Sequence, residues 1–219
     1  MTPYFETELG KLYHGDCLEI MPELAPVDLV LTDPPYSKEF NWVWKFLSEQ
    51  SKNIMTKNSH FVSLLGHNQL PVAIEELSKN LRYWWICGLG NKRSNKLFGK
   101  NVIIKFKPAI WFLKGKRLRE KNGYFPFDFI SVDKKEFKDS KKLHKWGQPE
   151  AFSINFIDHL TVINSIVLDP FIGSGTTAVA CERTNRKWIG IEISEEYCEI
   201  AAKRIEQETQ QFKLPMVGV

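Results

Sequence analysis

Apolar residues fall along this chain in short dense runs, separated by glycine, proline and charge. Residues 27–32, 61–65, 82–87, 109–113, 166–168 and 187–193 are brief runs of β-branched, aliphatic or aromatic residues that fit buried strands. Another strand is predicted at 101–106, separate from 109–113, and a short one leads from Lys11 into a turn at Gly15. Between the strands the spacing changes to that of helices. Residues 70–81 carry Val72, Ile74, Leu77 and Leu81, and residues 150–161 carry Phe152, Phe156, Ile157 and Leu160. After Ser194, an N-cap, Tyr197, Ile200, Ala201 and Ile205 share one helical face. Residues 17–24 form a short helix stopped before Pro26, and 178–183 open another. The run 37–47 is too aromatic for a solvated helix, so part of it packs on the sheet behind a short loop. Residues 53–58 read as a polar turn, 88–91 as a break and 207–219 as a frayed end. Strands alternating with helices predict an α/β sheet.

Two strands run straight into unusual turns. The first, 166–168, meets Asp169, then Pro170, Phe171, Ile172, Gly173, Ser174, Gly175, Thr176 and Thr177, and a helix follows. Strand, glycine turn and helix put Asp169 at the carboxyl edge of the sheet, where open α/β sheets bind ligands. Glu192 ends the next strand, seventeen residues after Gly175, close to the spacing at which a carboxylate meets ribose hydroxyls. A lone Gly-x-Gly turn is most often structural; the following strand and acid move the reading toward a nucleoside-bearing cofactor. No lysine follows the turn, which excludes a Walker phosphate loop. The second strand, 27–32, ends in Asp33, Pro34, Pro35 and Tyr36. Two prolines fix φ and supply no N–H donors, so this loop is stiff and presents carbonyls, a carboxylate and an aromatic ring. Such a loop suits a planar ring bearing an amino group: Asp33 and the Pro34 carbonyl accept its N–H bonds and Tyr36 stacks on its face. A rigid proline turn at a strand end is the bland alternative.

Composition narrows the setting. The 219 residues suffice for one domain with a small insertion, 43% are apolar, and the net charge is +4. That balance permits an acidic partner without demonstrating one. Cys17, Cys87, Cys181 and Cys198 lack metal-ligand spacing and the histidines are scattered, so no metal is expected, and a reduced, cytoplasmic protein is. No apolar run spans a membrane and residues 1–6 are not a signal peptide. Basic segments at 92–96, 114–121 and 134–142 are candidates for phosphate contacts, with solvated faces as the plain alternative.

Asp33-Pro34-Pro35-Tyr36 and the stretch Asp169 to Thr177 resemble the two signature motifs of amino-group DNA methyltransferases that use S-adenosylmethionine. The catalytic motif comes first, as in the β-class arrangement. Residues 11–36, 107–115 and 144–193 all fit it, so the resemblance covers nearly the whole chain. It implies a circularly permuted Rossmann-like methyltransferase fold: a mostly parallel sheet with helices on both faces, in a single domain over 1–219. Residues 115–145 are then a short target-recognition insertion. The resemblance implies catalytic roles for Asp33, Pro34, Pro35 and Tyr36. It places S-adenosylmethionine against Asp169, Phe171, Gly173, Gly175, Thr176 and Thr177, with Glu192 on its ribose and Asp16 and the Cys17 backbone near its adenine. Gln148 stands where the family usually has a lysine before Pro149.

The implied reaction is methyl transfer to N6 of adenine in double-stranded DNA, with base flipping, of the kind used in restriction–modification systems. An aspartate in the first motif position favours adenine, whereas serine is commoner in cytosine-N4 enzymes. Cytosine N4, an RNA substrate and a non-catalytic nucleic-acid-binding protein remain alternatives. A short recognition element reaches few base edges, so a brief recognition sequence or help from a second subunit, as in a homodimer, would follow.

Overall fold

In the computed structural model, which describes residues 1–97, 100–116, 126–131 and 149–213 and gives only the backbone path at 91–97 and 211–213, strands and helices alternate for most of the chain. Strands β1 (Phe5–Glu6) and β2 (Gly10–His14) precede helix α1 (Cys17–Ile20). Then come β3 (Val27–Thr32), α2 (Trp42–Ile54), β4 (Met55–Leu64), α3 (Leu70–Ser78), β5 (Arg82–Leu97), β6 (Val102–Lys114) and β7 (Phe129–Ser131). The last part holds α4 (Glu150–Leu160), β8 (Ile166–Asp169), α5 (Thr176–Thr184), β9 (Lys187–Glu192) and α6 (Glu195–Lys213). Among the described residues nine strands form one sheet in the order β1-β2-β9-β8-β3-β4-β6-β5-β7. The central block from β2 to β4 is parallel, while β1 and β6 run antiparallel to their neighbours.

Both faces of the sheet are covered, as a parallel block requires. Alternate residues of each strand therefore feed two cores. Leu29 and Leu31 of β3 join Trp111 and Leu113 of β6 against Phe152 and Phe156 of α4, Val179 of α5 and Ile205 of α6. Val30 of β3 joins Ile110 and Phe112 of β6 on the other face, against Trp44 and Leu47 of α2 and Leu77 of α3. Trp44 and Phe156 are wholly buried, and each such side chain contributes roughly 1.5–3 kcal/mol.

Several local expectations change. The polar stretch 53–58 is no connecting turn: Asn53 and Ile54 end α2, and β4 starts at Met55 and absorbs 55–58 as a bulge. The register against β3 slips between Val27↔Met55 and Leu29↔His60, and Asn58 takes the left-handed φ of 64° that asparagine tolerates. The two strands expected at 101–106 and 109–113 are one, β6, and Pro108 fits within it because β4 ends at Leu64 opposite Ala109 and the Pro108 carbonyl only has to accept a hydrogen bond from Leu65 N. The break at 88–91 is also absent. Gly88 and Gly90 are there for a different reason: a Cβ on either would lie within 2.8 Å of the Phe129 ring. They let β7 pair with β5 in parallel. Helix α6 continues to Lys213, well past the frayed end expected from 207.

Of the segment 115–145, the structure describes Gly115, Lys116 and 126–131. Residues 134–142, most of 114–121 and Gln148 lie outside the described residues. Among the described residues no helix is long and apolar enough to cross a membrane.

Candidate active site

The carboxyl ends of the parallel strands meet along one edge of the sheet, and four acids emerge there in spatial order: Asp16 after β2, Glu192 of β9, Asp169 of β8 and Asp33 after β3. Chain order scatters these residues; strand order brings them into a row. A cavity of about 830 Å³ opens on this edge. Its walls include Asp16, Cys17, Asp33, Pro34, Pro35, Tyr36, Asp169, Phe171, Gly173, Thr176, Thr177 and Glu192. Of the residues picked out from sequence, Gly175 stands outside the wall.

Gly175 has a structural task instead. It begins α5 with φ of 82°, a left-handed value that favours glycine. A Cβ there would sit 3.3 Å from Ala201 Cβ on α6. The turn it closes is organised by Asp169, which is 4% exposed. Oδ1 of Asp169 accepts hydrogen bonds from Thr32 Oγ1 at 2.8 Å and Phe171 N at 3.1 Å, and Oδ2 accepts from Thr177 Oγ1 at 2.6 Å. Burial nevertheless pushes the Asp169 carboxyl up to about 6, against the opposing pull of those three donors.

Glu192 lies beside the same turn. Its Oε2 accepts from Gly173 N and its Oε1 from Ser194 N, each at 2.9 Å. Burial raises its carboxyl above the usual range, with the backbone donors opposing. These bonds hold the carboxylate in place while leaving lone pairs for a diol. Asp16 caps α1 by accepting from Leu18 N at 2.9 Å, and Gly15 N donates to the Glu192 carbonyl at 2.9 Å. The turn is braced from behind by Arg204 of α6, which donates to the Ser174 carbonyl at 3.1 Å and to Thr176 Oγ1 at 3.0 Å. Arg204 is held in turn by Glu150 at the start of α4.

On the side of the Asp33–Tyr36 loop, Asp33 does not face the cavity alone. Lys107 of β6 places Nζ 2.8 Å from Oδ1 and 2.7 Å from Oδ2 of Asp33. The same Nζ lies 4.4 Å from the centroid of the Tyr36 ring, a cation–π distance. Burial pulls the Lys107 ammonium below its ordinary value and Asp33 opposes that pull. Beyond the loop, Phe40, Trp42 and Val43 add an apolar wall.

Sequence reasoning missed five contributors. Lys107 figures there only as part of a strand, Thr32 only as the end of one, and Arg204 not at all. Phe152 and Ser153 of α4 line the cavity, yet Phe152 reads from sequence as part of a helical core stripe. The one usable signal was Thr32, since a hydroxyl residue directly before Asp33 in a buried strand needs a partner.

The family model N6_N4_Mtase, described as DNA methylase, matches residues 37–203. The type II methyltransferase M.BamHI of Bacillus amyloliquefaciens is 26% identical over 261 residues, spanning 97% of this chain and 60% of that protein. M2.DpnII of Streptococcus pneumoniae is 26% identical over 253 residues, spanning 95% of this chain and 94% of that one. The crystal structure of an M1.HpyAVI-SAM complex matches with a TM-score of 0.73 at 25% identity, covering 90% of this chain and 100% of that chain. The PvuII DNA methyltransferase, described as cytosine-N4-specific, matches with a TM-score of 0.75 at 20% identity, covering 95% and 94%. What is shared is a permuted, Rossmann-like mixed sheet flanked by helices.

Proposed function

Since the chain belongs to the N6/N4 family of DNA methylases, with S-adenosylmethionine as its cofactor, we propose that it methylates the exocyclic N6 amine of adenine in double-stranded DNA, acting on a base flipped out of the duplex. The observation that carries this reading is that the Asp33–Tyr36 loop walls the same cavity as Gly173 and Glu192, so a base at one end reaches a cofactor held at the other.

The residues fit the cofactor. Glu192 offers lone pairs to ribose hydroxyls, Asp16 and the Cys17 backbone lie at the adenine end, and the Phe171–Thr177 turn supplies the rest of the cradle. When bound, S-adenosylmethionine supplies an electrophilic methyl on a cationic sulfur. The protein's own task is to make a poor nucleophile competent. An exocyclic amine delocalises its lone pair into the ring. Asp33 and the Pro34 carbonyl accept its two N–H bonds and favour a tetrahedral nitrogen whose lone pair points out of the ring plane. Holding that geometry supplies much of the rate, the Asp33 carboxylate stabilises the positive charge that develops on nitrogen, and the methylated nitrogen then sheds its extra proton to Asp33 or to water. Tyr36 presents a ring face for stacking.

The aspartate that opens the catalytic loop supports adenine, by the family pattern for that position. Incubation with labelled S-adenosylmethionine and unmethylated duplex DNA, followed by digestion to nucleosides, tests this. The expected product is N6-methyldeoxyadenosine. N4-methyldeoxycytidine would move the target to cytosine, and DNA binding without any transfer would leave a non-catalytic binder.

A further inference from the structure

Strand packing alone does not account for where Lys107 puts its charge. Its Nζ spans both carboxylate oxygens of Asp33, at 2.8 and 2.7 Å, and lies over the Tyr36 ring at 4.4 Å. These are the two contacts that a target base needs, an amine nitrogen against Asp33 and a body over Tyr36. The ammonium and an amino group are both nitrogen donors of similar size, and one site cannot hold both. We propose that Lys107 is an internal stand-in for the target amine: it fills the amine position in the DNA-free enzyme and has to withdraw when the base arrives. This rests on the reading of Asp33 and Tyr36 as the target-base site.

Three features support it. Asp33 and Lys107 side chains are only about a fifth exposed, at 22% and 20%, so an occupant spares the carboxylate a poorly solvated, unpaired state. The Tyr36 hydroxyl is buried without a hydrogen-bond partner. Its ring is therefore positioned by what packs on it, Lys107 included. The backbone of Lys107 is fixed by pairing with Leu89 of β5, but its four-carbon stem is flexible, so withdrawal needs only new side-chain rotamers. Exchange also changes the electrostatics usefully. A neutral amine replaces a cation, and the Asp33 charge is then free to meet the positive charge that develops on the amine during transfer. Lys107 is thus a positioning residue that sets the threshold for base capture.

The test compares the parent with Lys107→Met, which keeps the stem and removes the charge, and Lys107→Arg, which keeps a cation on Asp33. Methylation of unmethylated duplex DNA is followed at saturating S-adenosylmethionine. Calorimetric binding of the cofactor shows that each variant is folded, with Lys107→Gln in reserve if the methionine variant is not. Losing the competing, partly buried ion pair together with its cation–π contact predicts a KM for DNA about three- to tenfold lower in Lys107→Met. The gain is expected in KM rather than kcat, and Lys107→Arg should show no such fall. An unchanged KM in Lys107→Met overturns the proposal. So does a raised KM with shallower salt dependence, which would make Lys107 a phosphate contact, or a fall in kcat alone, which would place it in the transfer step. The parent's own activity separates the two readings. An active parent with an indifferent Lys107→Met overturns the role of Lys107 only, whereas a folded parent that transfers nothing to DNA overturns both.

Discussion

Thr32 donates its hydroxyl hydrogen to Oδ1 of Asp169 across 2.8 Å, joining two residues 137 positions apart. Thr32 immediately precedes Asp33, and Asp169 opens the glycine turn. One hydrogen bond between adjacent parallel strands therefore sets the Asp33–Tyr36 loop against the Asp169–Thr177 turn. Thr32→Val keeps the shape and removes the donor. It should cost about 1–2 kcal/mol of stability, the usual worth of one hydrogen bond to a carboxyl that keeps its other donors. Urea unfolding should show a larger loss at pH 8 than at pH 5, because the ionised carboxylate has more need of the donor. An equal loss at both pH values would mean that the hydroxyl does not serve Asp169.

Asp169 also makes a pH prediction. Its carboxyl is raised to about 6 in the fold, whereas an unfolded aspartate titrates near ~3.9. Between these values the native state holds the extra proton, so this group's contribution to stability falls as pH rises from about 4 to about 6, and the penalty is complete above that. A cationic cofactor favours the ionised form. Cofactor affinity should therefore increase as pH rises through about 6, with proton release on binding that calorimetry in buffers of different ionisation enthalpy would detect. Absence of proton release near pH 6 would separate Asp169 from the cofactor's charge.

Asp33→Ala should leave cofactor binding intact and reduce single-turnover methylation of duplex DNA by at least ~10²-fold, the lower range for losing a positioned proton acceptor or electrostatic partner. A variant that binds cofactor normally and methylates at the parental rate would remove this loop from the chemistry.

Glu192→Ala should weaken S-adenosylmethionine by roughly 1–3 kcal/mol, the cost of losing a charged hydrogen-bond partner. Because Glu192 also receives Gly173 N and Ser194 N, a melt without cofactor is needed to measure the structural share. A folded variant with parental affinity would take Glu192 out of the site.

Legibility in the sequence followed the range of each interaction. Asp33-Pro34-Pro35-Tyr36 and the Gly173–Gly175 turn could be read because their geometry is imposed by prolines and glycines next to them in the chain. Asp33, Asp169 and Glu192 could be read one by one because each ends or follows a strand with a clear apolar run, whereas Asp16, after the short β2, came from the family resemblance. Lys107 could not, because its meeting with Asp33 depends on β6 lying beside β4, which lies beside β3, and no local pattern encodes strand order. The 53–58 segment misled for the opposite reason. Its turn chemistry is real, as the left-handed Asn58 shows, but the neighbouring strand accommodates it as a bulge. Gly88 and Gly90 looked like a break and are a seat for Phe129, a residue some forty positions away.

That seat changes what the segment between β6 and α4 amounts to. Phe129–Ser131 pairs with β5, and Asn155 of α4 clamps the Phe127 backbone from the other side, donating to its carbonyl at 3.1 Å and accepting from its N–H at 3.0 Å. A single long excursion is thereby divided into two spans, 115–128 and 132–149, each beginning and ending on the folded body. Loop-closure cost grows only by about 0.6 kcal/mol per doubling of length, so the larger effect is mechanical independence. A change of length or residues before Phe127 should therefore leave the pairing of Phe129–Ser131 with β5 in place, and one after Ser131 should leave the Asn155 clamp on Phe127 in place.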